Sequence, residues 1–405
     1  MEISSARHES APASVDSRED TRAQSRRAKR SPEKIRAFAG AGTLAHMSYR
    51  SRQCHLQSVL AANHLDGLLL THLPNIRYLC GFSGSAGVLI LNGKNIVFFT
   101  DSRYTTQARQ EVEGAQVVVS RKNPLVTAAA WLKSRHRAMR LGIESEHLSV
   151  AAEARLQASL PTRFRLKPAP ALVEHARMIK DGAEIAILRE AALMGVGLFG
   201  VLKKVIRAGV PECHAAAELE YAASRAGAEG MSFPTIIASG KRSALPHGRA
   251  STQRIPAKGF VVCDFGVILG GYCSDMTRTL HVGRAGREAR RVYAAVREAQ
   301  QAGVDAVRPG RSVGEIDRAA RKLLQQFKLA RYFTHSTGHG VGLEIHEAPR
   351  VAAEGKELLR PGMVITIEPG VYLPGKFGVR IEDTVVVTER GCEILTPASK
   401  ELVEI

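Results

Sequence analysis

Five metal-seeking side chains fall on short apolar segments in the last third of this 405-residue chain, each reading as buried strand or tight turn. They are Asp264 in Val261-Val262-Cys263-Asp264-Phe265-Gly266, Asp275 in Cys273-Ser274-Asp275-Met276-Thr277, His339 in Gly338-His339-Gly340, Glu368 in Ile365-Thr366-Ile367-Glu368-Pro369-Gly370, and Glu382 in Val379-Arg380-Ile381-Glu382-Asp383. A carboxylate in an apolar strand is expensive to ionise unless it is paired or holds a metal. Two cations ~3.5–4 Å apart require bridging anions of this kind. The pattern predicts a dinuclear metallohydrolase.

Spacing refines the set. Asp264 and Asp275 flank the turn-like Leu269-Gly270-Gly271. A two-residue turn at Leu269-Gly270 makes the two carboxylates direct cross-strand neighbours, with Cβ atoms roughly 4.5–5.5 Å apart. Like charges so placed repel until a cation reverses the sign. Strand alternation in the last motif puts Arg380 and Glu382 on one face and Ile381 with Asp383 on the other. Glu382 is therefore the expected ligand, and Asp383 an outer or structural group. Cys263 points away from the Asp264 side and is not counted, whereas Cys273 shares parity with Asp275 and stays an outside candidate. His335 and His339 have helical spacing, but Gly338, Gly340 and Gly342 argue against a helix at about 1 kcal/mol each. A glycine-rich turn that lets the backbone approach a substrate is expected instead. His339 is the best nitrogen ligand, with His247 and His346 as further candidates. Oxygen donors with one imidazole favour Mn(II), Co(II), Zn(II) or Fe(II) over a soft-metal site.

The rest of the chain frames this site. Residues 1–46 are rich in Ser, Ala and Arg without apolar periodicity, and predict a disordered basic extension or a start placed ahead of a true initiator at Met47. Their lack of a continuous apolar core excludes a secretory signal, and their six acids disfavour a transit peptide. Residues 47–172 alternate short apolar strands, such as Leu68-Leu69-Leu70 and Ile96-Val97-Phe98-Phe99, with helical stretches such as Pro124 to Lys133, which predicts an α/β domain. Residues 173–405 read as an α+β catalytic domain. Its long helices run at about 183–206, 212–225 and 287–306, another starts at the Ser312 capping box, and strands follow at 259–282 and 363–395. No apolar run is expected to approach the roughly 18–20 residues of a membrane span, so no membrane partner is expected. Six cysteines without a C-x-x-C pair fit reduced thiols in a cytoplasmic protein. The net charge of +18 is mostly spread over the folded part without a basic stripe, so no nucleic-acid partner is expected.

These motifs resemble the pita-bread metallopeptidases, and within them the aminopeptidase P and prolidase branch. The resemblance spans residues of about 50 to 400. Asn75-Ile76-Arg77-Tyr78-Leu79-Cys80-Gly81-Phe82 and Thr100-Asp101-Ser102-Arg103-Tyr104 look like a creatinase-type N-terminal domain. Ser243-Ala244-Leu245-Pro246-His247, the Asp264/Asp275 hairpin, Gly338-His339-Gly340-Val341-Gly342 with His346-Glu347, and both glutamate motifs match the catalytic pattern. The resemblance implies Asp275 and Glu382 bridging two divalent ions, Mn(II) first among the candidates. It places Asp264 on one ion and His339 with Glu368 on the other. It also implies His247 and His346 near the substrate, with His346 stabilising or shuttling protons at the tetrahedral centre, and His335 outside the ligand shell. Ser336 stands where many relatives carry Gly.

In the mechanism so implied, a water activated between the ions attacks the scissile carbonyl, and Glu368 passes its proton to the leaving nitrogen. The leading expectation is an Xaa-Pro aminopeptidase acting on a peptide with proline second, assembled as a homodimer or higher homo-oligomer. The nearest alternative is an Xaa-Pro dipeptidase. A methionine aminopeptidase-like enzyme and a non-catalytic binding scaffold rank lower, because an N-terminal domain is present and no ligand is missing.

Overall fold

Period-two alternation decides which way each acid-bearing strand points its carboxylates, and the architecture turns on that. A computed structural model describes residues 48–405 of the chain, and the expected extension at 1–46 lies outside the described residues. The N-terminal part is built on a six-stranded mixed sheet in the order Gln116–Ser120, Asn95–Asp101, Val88–Asn92, Gly67–Leu70, Met139–Glu144, Phe164–Ala169. Leu68 and Leu70 pack with Leu56 and Leu60 of helix Tyr49–Ala62. Leu69 packs on the other face with Ala128 and Leu132 of helix Pro124–Lys133. Both faces are covered, which is why these strands read as unbroken apolar runs.

Beyond residue 181 the fold is α+β. Asp181 and Glu184 form a capping box that starts helix Gly182–Val205, and Ser312 with Glu315 does the same for Val313–Gln326. A four-stranded sheet runs Val403–Glu404, Met276–Val282, Gly259–Phe265, Ile236–Ser239. A five-stranded sheet runs Glu347–Val351, Gly338–Gly340, Val364–Ile367, Asp383–Val387, Cys392–Ile394. In the first, Val261, Cys263 and Phe265 pack under helices Gly182–Val205 and Glu212–Ala226. In the second, Ile365 and Ile367 pack with Val304 and Ile316. Alternation then turns Asp264, Thr366 and Glu368 to the opposite faces, away from the helices.

One apolar stretch departs from the sequence expectation. Helix Gly182–Val205 is long and apolar enough to cross a membrane by length and composition alone. Glu184, Arg189 and Glu190 break it as an uninterrupted run, which hides its overall apolarity. Its Leu188, Ala191, Leu198, Phe199 and Leu202 are buried against the sheets.

Two further expectations need correction. The hairpin turn is Gly270-Gly271, since Leu269 pairs with Tyr272 and Asp264 with Thr277. A tight two-residue turn of this kind needs positive φ at both central residues; Gly270 (54°) and Gly271 (78°) supply it and Leu269 cannot. The register shifts by two residues, so Asp264 and Asp275 sit diagonally and not directly opposite. The segment Gly338–Gly340 is a strand and not a turn, lying between two neighbours of its sheet. A Cβ at Gly338 would come 1.9 Å from the Thr366 carbonyl oxygen, and one at Gly340 2.2 Å from that of Ala348. These glycines serve close strand approach, so their absence of side chain is spent on the sheet.

Candidate active site

Asp264, Asp275, His339, Glu368 and Glu382 all line one cavity of about 600 Å³, together with His247, His335 and His346. Asp275, His339 and Glu382 each bring a donor atom within 4.8 Å of the others. His339 Nε2 lies 3.6 Å from Asp275 Oδ2 and 3.5 Å from Glu368 Oε1. Cys273 does not join them. Its thiol packs with Leu188, Tyr272 and Val341, and burial pushes it up to about 11.

The donor set fits divalent cations on two counts. Asp264 Oδ1 and Asp275 Oδ1 are buried without a hydrogen-bond partner among the described residues. Such an orphaned oxygen costs about 1–3 kcal/mol, and a cation between the carboxylates would satisfy both. Burial, and after it the neighbouring carboxylates, hold Asp275 and Glu382 well above the usual carboxylate range. Burial likewise raises Glu368 to about 8. The second count is the imidazole. His339 Nδ1 lies 2.9 Å from the Gly340 carbonyl, which can only accept, so the proton sits on Nδ1 and Nε2 presents its lone pair to the carboxylates. Burial lowers its pKa to about 4 and keeps it neutral.

The two adjacent acids take different places. Glu382 Oε2 accepts from the Thr277 hydroxyl at 2.8 Å, and its backbone N–H donates to Thr277 O at 3.1 Å. Asp383 faces away and accepts from Arg278 Nη2 (2.7 Å), Gln300 Nε2 (2.9 Å) and Lys400 Nζ (3.0 Å). Arg278 also donates to the Glu382 carbonyl and to the carbonyls of Thr396 and Ala398. Ile381 is buried in the core, as alternation requires.

Of the other histidines, His335 is committed to a chain. Its Nδ1 donates to Ser336 O at 2.8 Å, leaving Nε2 to accept from Tyr372 OH at 2.9 Å. Tyr372 OH accepts from Arg380 Nη1 at 2.7 Å, and Arg380 Nη2 donates to Asp264 Oδ2. His346 is exposed, and its ring meets that of His339 edge-on at 4.4 Å between centroids. Two cavity residues, Arg380 and Arg350, and Tyr372, which touches Arg380 and His335, escape the sequence reading as functional groups. Arg380 shares a face with Glu382, and that parity could have marked it. Tyr372 and Arg350 carry no local signal.

Comparisons with known proteins show the family and the fold. The model of metallopeptidase family M24 matches residues 186–389, and that of the creatinase/prolidase N-terminal domain matches 52–179. An Xaa-Pro dipeptidase of Pyrococcus horikoshii is 36% identical over 84% of this chain and 95% of its own length. The solved Xaa-Pro dipeptidase from Bacillus anthracis superposes with a TM-score of 0.85 at 39% identity, covering 88% of this chain and all of that one. An X-Pro aminopeptidase from Thermotoga maritima superposes at 0.80 with 32% identity, covering 87% of this chain and all of its own. With its α/β N-terminal domain and α+β pita-bread domain, the chain belongs to metallopeptidase family M24.

Proposed function

We propose that the protein is an Xaa-Pro dipeptidase working with two divalent metal ions per chain. This reverses the order expected from sequence, where the aminopeptidase came first. The relatives named Xaa-Pro dipeptidase match it at 36–39% identity, above the 32% of the aminopeptidase structure. The observation that carries the choice is Arg350. It lines the cavity, is exposed, and has no ion-pair partner among the described residues. A dipeptide places its terminal carboxylate one residue from the scissile bond, where a cation in the same cavity can bind it; a longer peptide has none there. Phe233, Pro234, Ile236 and Ile345 line the same cavity and offer an apolar wall for a pyrrolidine ring.

Asp264, Asp275, His339, Glu368 and Glu382 would hold the ions, with Mn(II) first and Co(II), Zn(II) or Fe(II) as alternatives. Bound there, the ions supply Lewis acidity and lower the pKa of water. Glu368 takes a proton on its carboxylate and delivers it to the proline nitrogen. That nitrogen is a tertiary amide without an N–H and must be protonated to leave. His346 faces the reacting carbonyl as a proton or hydrogen-bond donor, His247 approaches from the opposite chain segment, and His335 steadies Arg380 through Tyr372. We read the enzyme as a cytoplasmic homodimer or higher homo-oligomer, which light scattering on the purified protein would check.

Manganese-loaded protein assayed side by side with Gly-Pro, Arg-Pro-Pro and Met-Ala-Ser should cleave Gly-Pro fastest. Preference for Arg-Pro-Pro would restore the aminopeptidase reading. Replacing Arg350 with Met should cut kcat/KM for Gly-Pro by about 10–100-fold, the worth of one charge-assisted hydrogen bond. The same change should leave Gly-Pro amide nearly unaffected. Equal losses on acid and amide would remove Arg350 from carboxylate recognition.

A further inference from the structure

His346 is exposed and stands on a loop, residues 341–346, that has no regular structure. Something other than a ladder must fix its geometry, because a misplacement of about 1 Å can cost on the order of 10²-fold in rate. The loop is closed by the residue that follows His346. Both oxygens of the Glu347 carboxylate are engaged: Oε1 accepts from Arg177 Nη2 and from the Glu344 backbone N–H (3.1 Å), and Oε2 accepts from Lys180 Nζ at 2.9 Å. The carboxylate also lies against the start of the loop, since a Cβ on Gly342 would fall 2.5 Å from Glu347 Oε2. Gly342 in turn accepts from the Cys273 backbone N–H at 2.8 Å, two residues before Asp275.

The cations come from the connection between the N-terminal and catalytic parts. Arg177 and Lys180 side chains are 3% and 1% exposed, and Glu347 6%. Arg177 reaches further, to Asn75 Oδ1 at 2.7 Å and Glu344 Oε2 at 2.8 Å, and Glu344 pairs with His72 at 3.0 Å. Burying three charges against one another yields little net stability, because desolvation offsets the attraction. Its physical product is a fixed geometry.

We infer that Lys180 and Arg177 are positioning residues that hold His346 over the reaction centre through Glu347, so that the N-terminal domain junction sets the rate of turnover. The inference rests on the role given to His346 under the proposed function. Both are tested on the full chain, manganese-loaded, with Gly-Pro as substrate. Lys180→Met is expected to lower kcat by about 10–100-fold, leaving KM within threefold and bound manganese unchanged. Lys180→Arg should recover most of the rate. In a His346→Ala background, Lys180→Met should cost less than twofold, since two residues acting through one group are non-additive. Full additivity, or a loss of metal in place of kcat, overturns the inference and leaves the role of His346 standing. Unchanged kcat per folded molecule in His346→Ala alone refutes that role and this inference with it. Should Lys180→Met fail to fold, Glu347→Gln keeps the shape and carries the same comparison.

Discussion

Stripped of metal, the protein should lose stability as pH rises from about 5 to 8, and manganese should stabilise it more at each step. The sign follows from the carboxyls. Glu368 stands at about 8 in the fold against an ordinary 4.5, and Asp275 and Glu382 are also raised, by burial first. A carboxyl with a raised folded pKa contributes stability that is complete below its unfolded value and lost as pH climbs through the folded one. Over that window the cluster takes on negative charge it cannot solvate, at a cost on the order of a few kcal/mol. Divalent ions bind the ionised form, so their binding expels protons and strengthens with pH. Urea unfolding at pH 5, 6.5 and 8, after exhaustive chelation and after manganese loading, would show the two midpoints diverging. Parallel midpoints would mean the carboxylates do not hold the metal. Turnover should fall to background on chelation and return with manganese.

Much of this site is legible in the sequence because strand parity is a local property. Asp264 and Glu368 lie between apolar neighbours, and Glu382 follows Ile381; these neighbours must face a core, so each acid must face the other way. Parity survives the misplaced turn. Moving the hairpin from Leu269-Gly270 to Gly270-Gly271 shifts the register by two, and a shift of two keeps every side chain on its face. A shift of one would have turned the acids into the core. What stayed hidden depends on tertiary contact. Gly338 and Gly340 look like a flexible turn until neighbouring carbonyls are seen pressing on both. Tyr372 is one aromatic in an apolar strand until His335 and Arg380 meet its hydroxyl. Glu347 lies far along the chain from Arg177 and Lys180, and nothing in the sequence announces that the three form a cluster. The helix at Gly182–Val205 is legible, but its apolarity is hidden because charges interrupt it, although by length and composition alone it could cross a membrane.

Replacing Glu382 and Asp383 in turn should give opposite results on metal and on stability. Glu382→Ala removes a donor from the group that also contains Asp275 and His339. Metal affinity should drop by more than about 10²-fold, beyond the 10–100-fold that loss of an outer partner costs, and turnover should vanish. The metal-free fold should be no less stable than its parent within about 1 kcal/mol. Deleting one of several crowded buried carboxyls relieves desolvation and repulsion, which offsets the loss of the acceptor for the Thr277 hydroxyl proton. Asp383→Asn keeps every donor in the cavity but takes the negative charge from between Arg278 and Lys400, whose side chains are 2% and 18% exposed. Breaking a buried pair on one side is costly because the remaining charge is uncompensated, so about 3 kcal/mol should be lost in denaturant unfolding. The folded fraction should still bind two ions and retain turnover within about tenfold. Metal analysis, urea midpoints and kcat on the two variants separate the roles. Equal loss of metal in both would show that the alternation between Glu382 and Asp383 does not divide ligand from support.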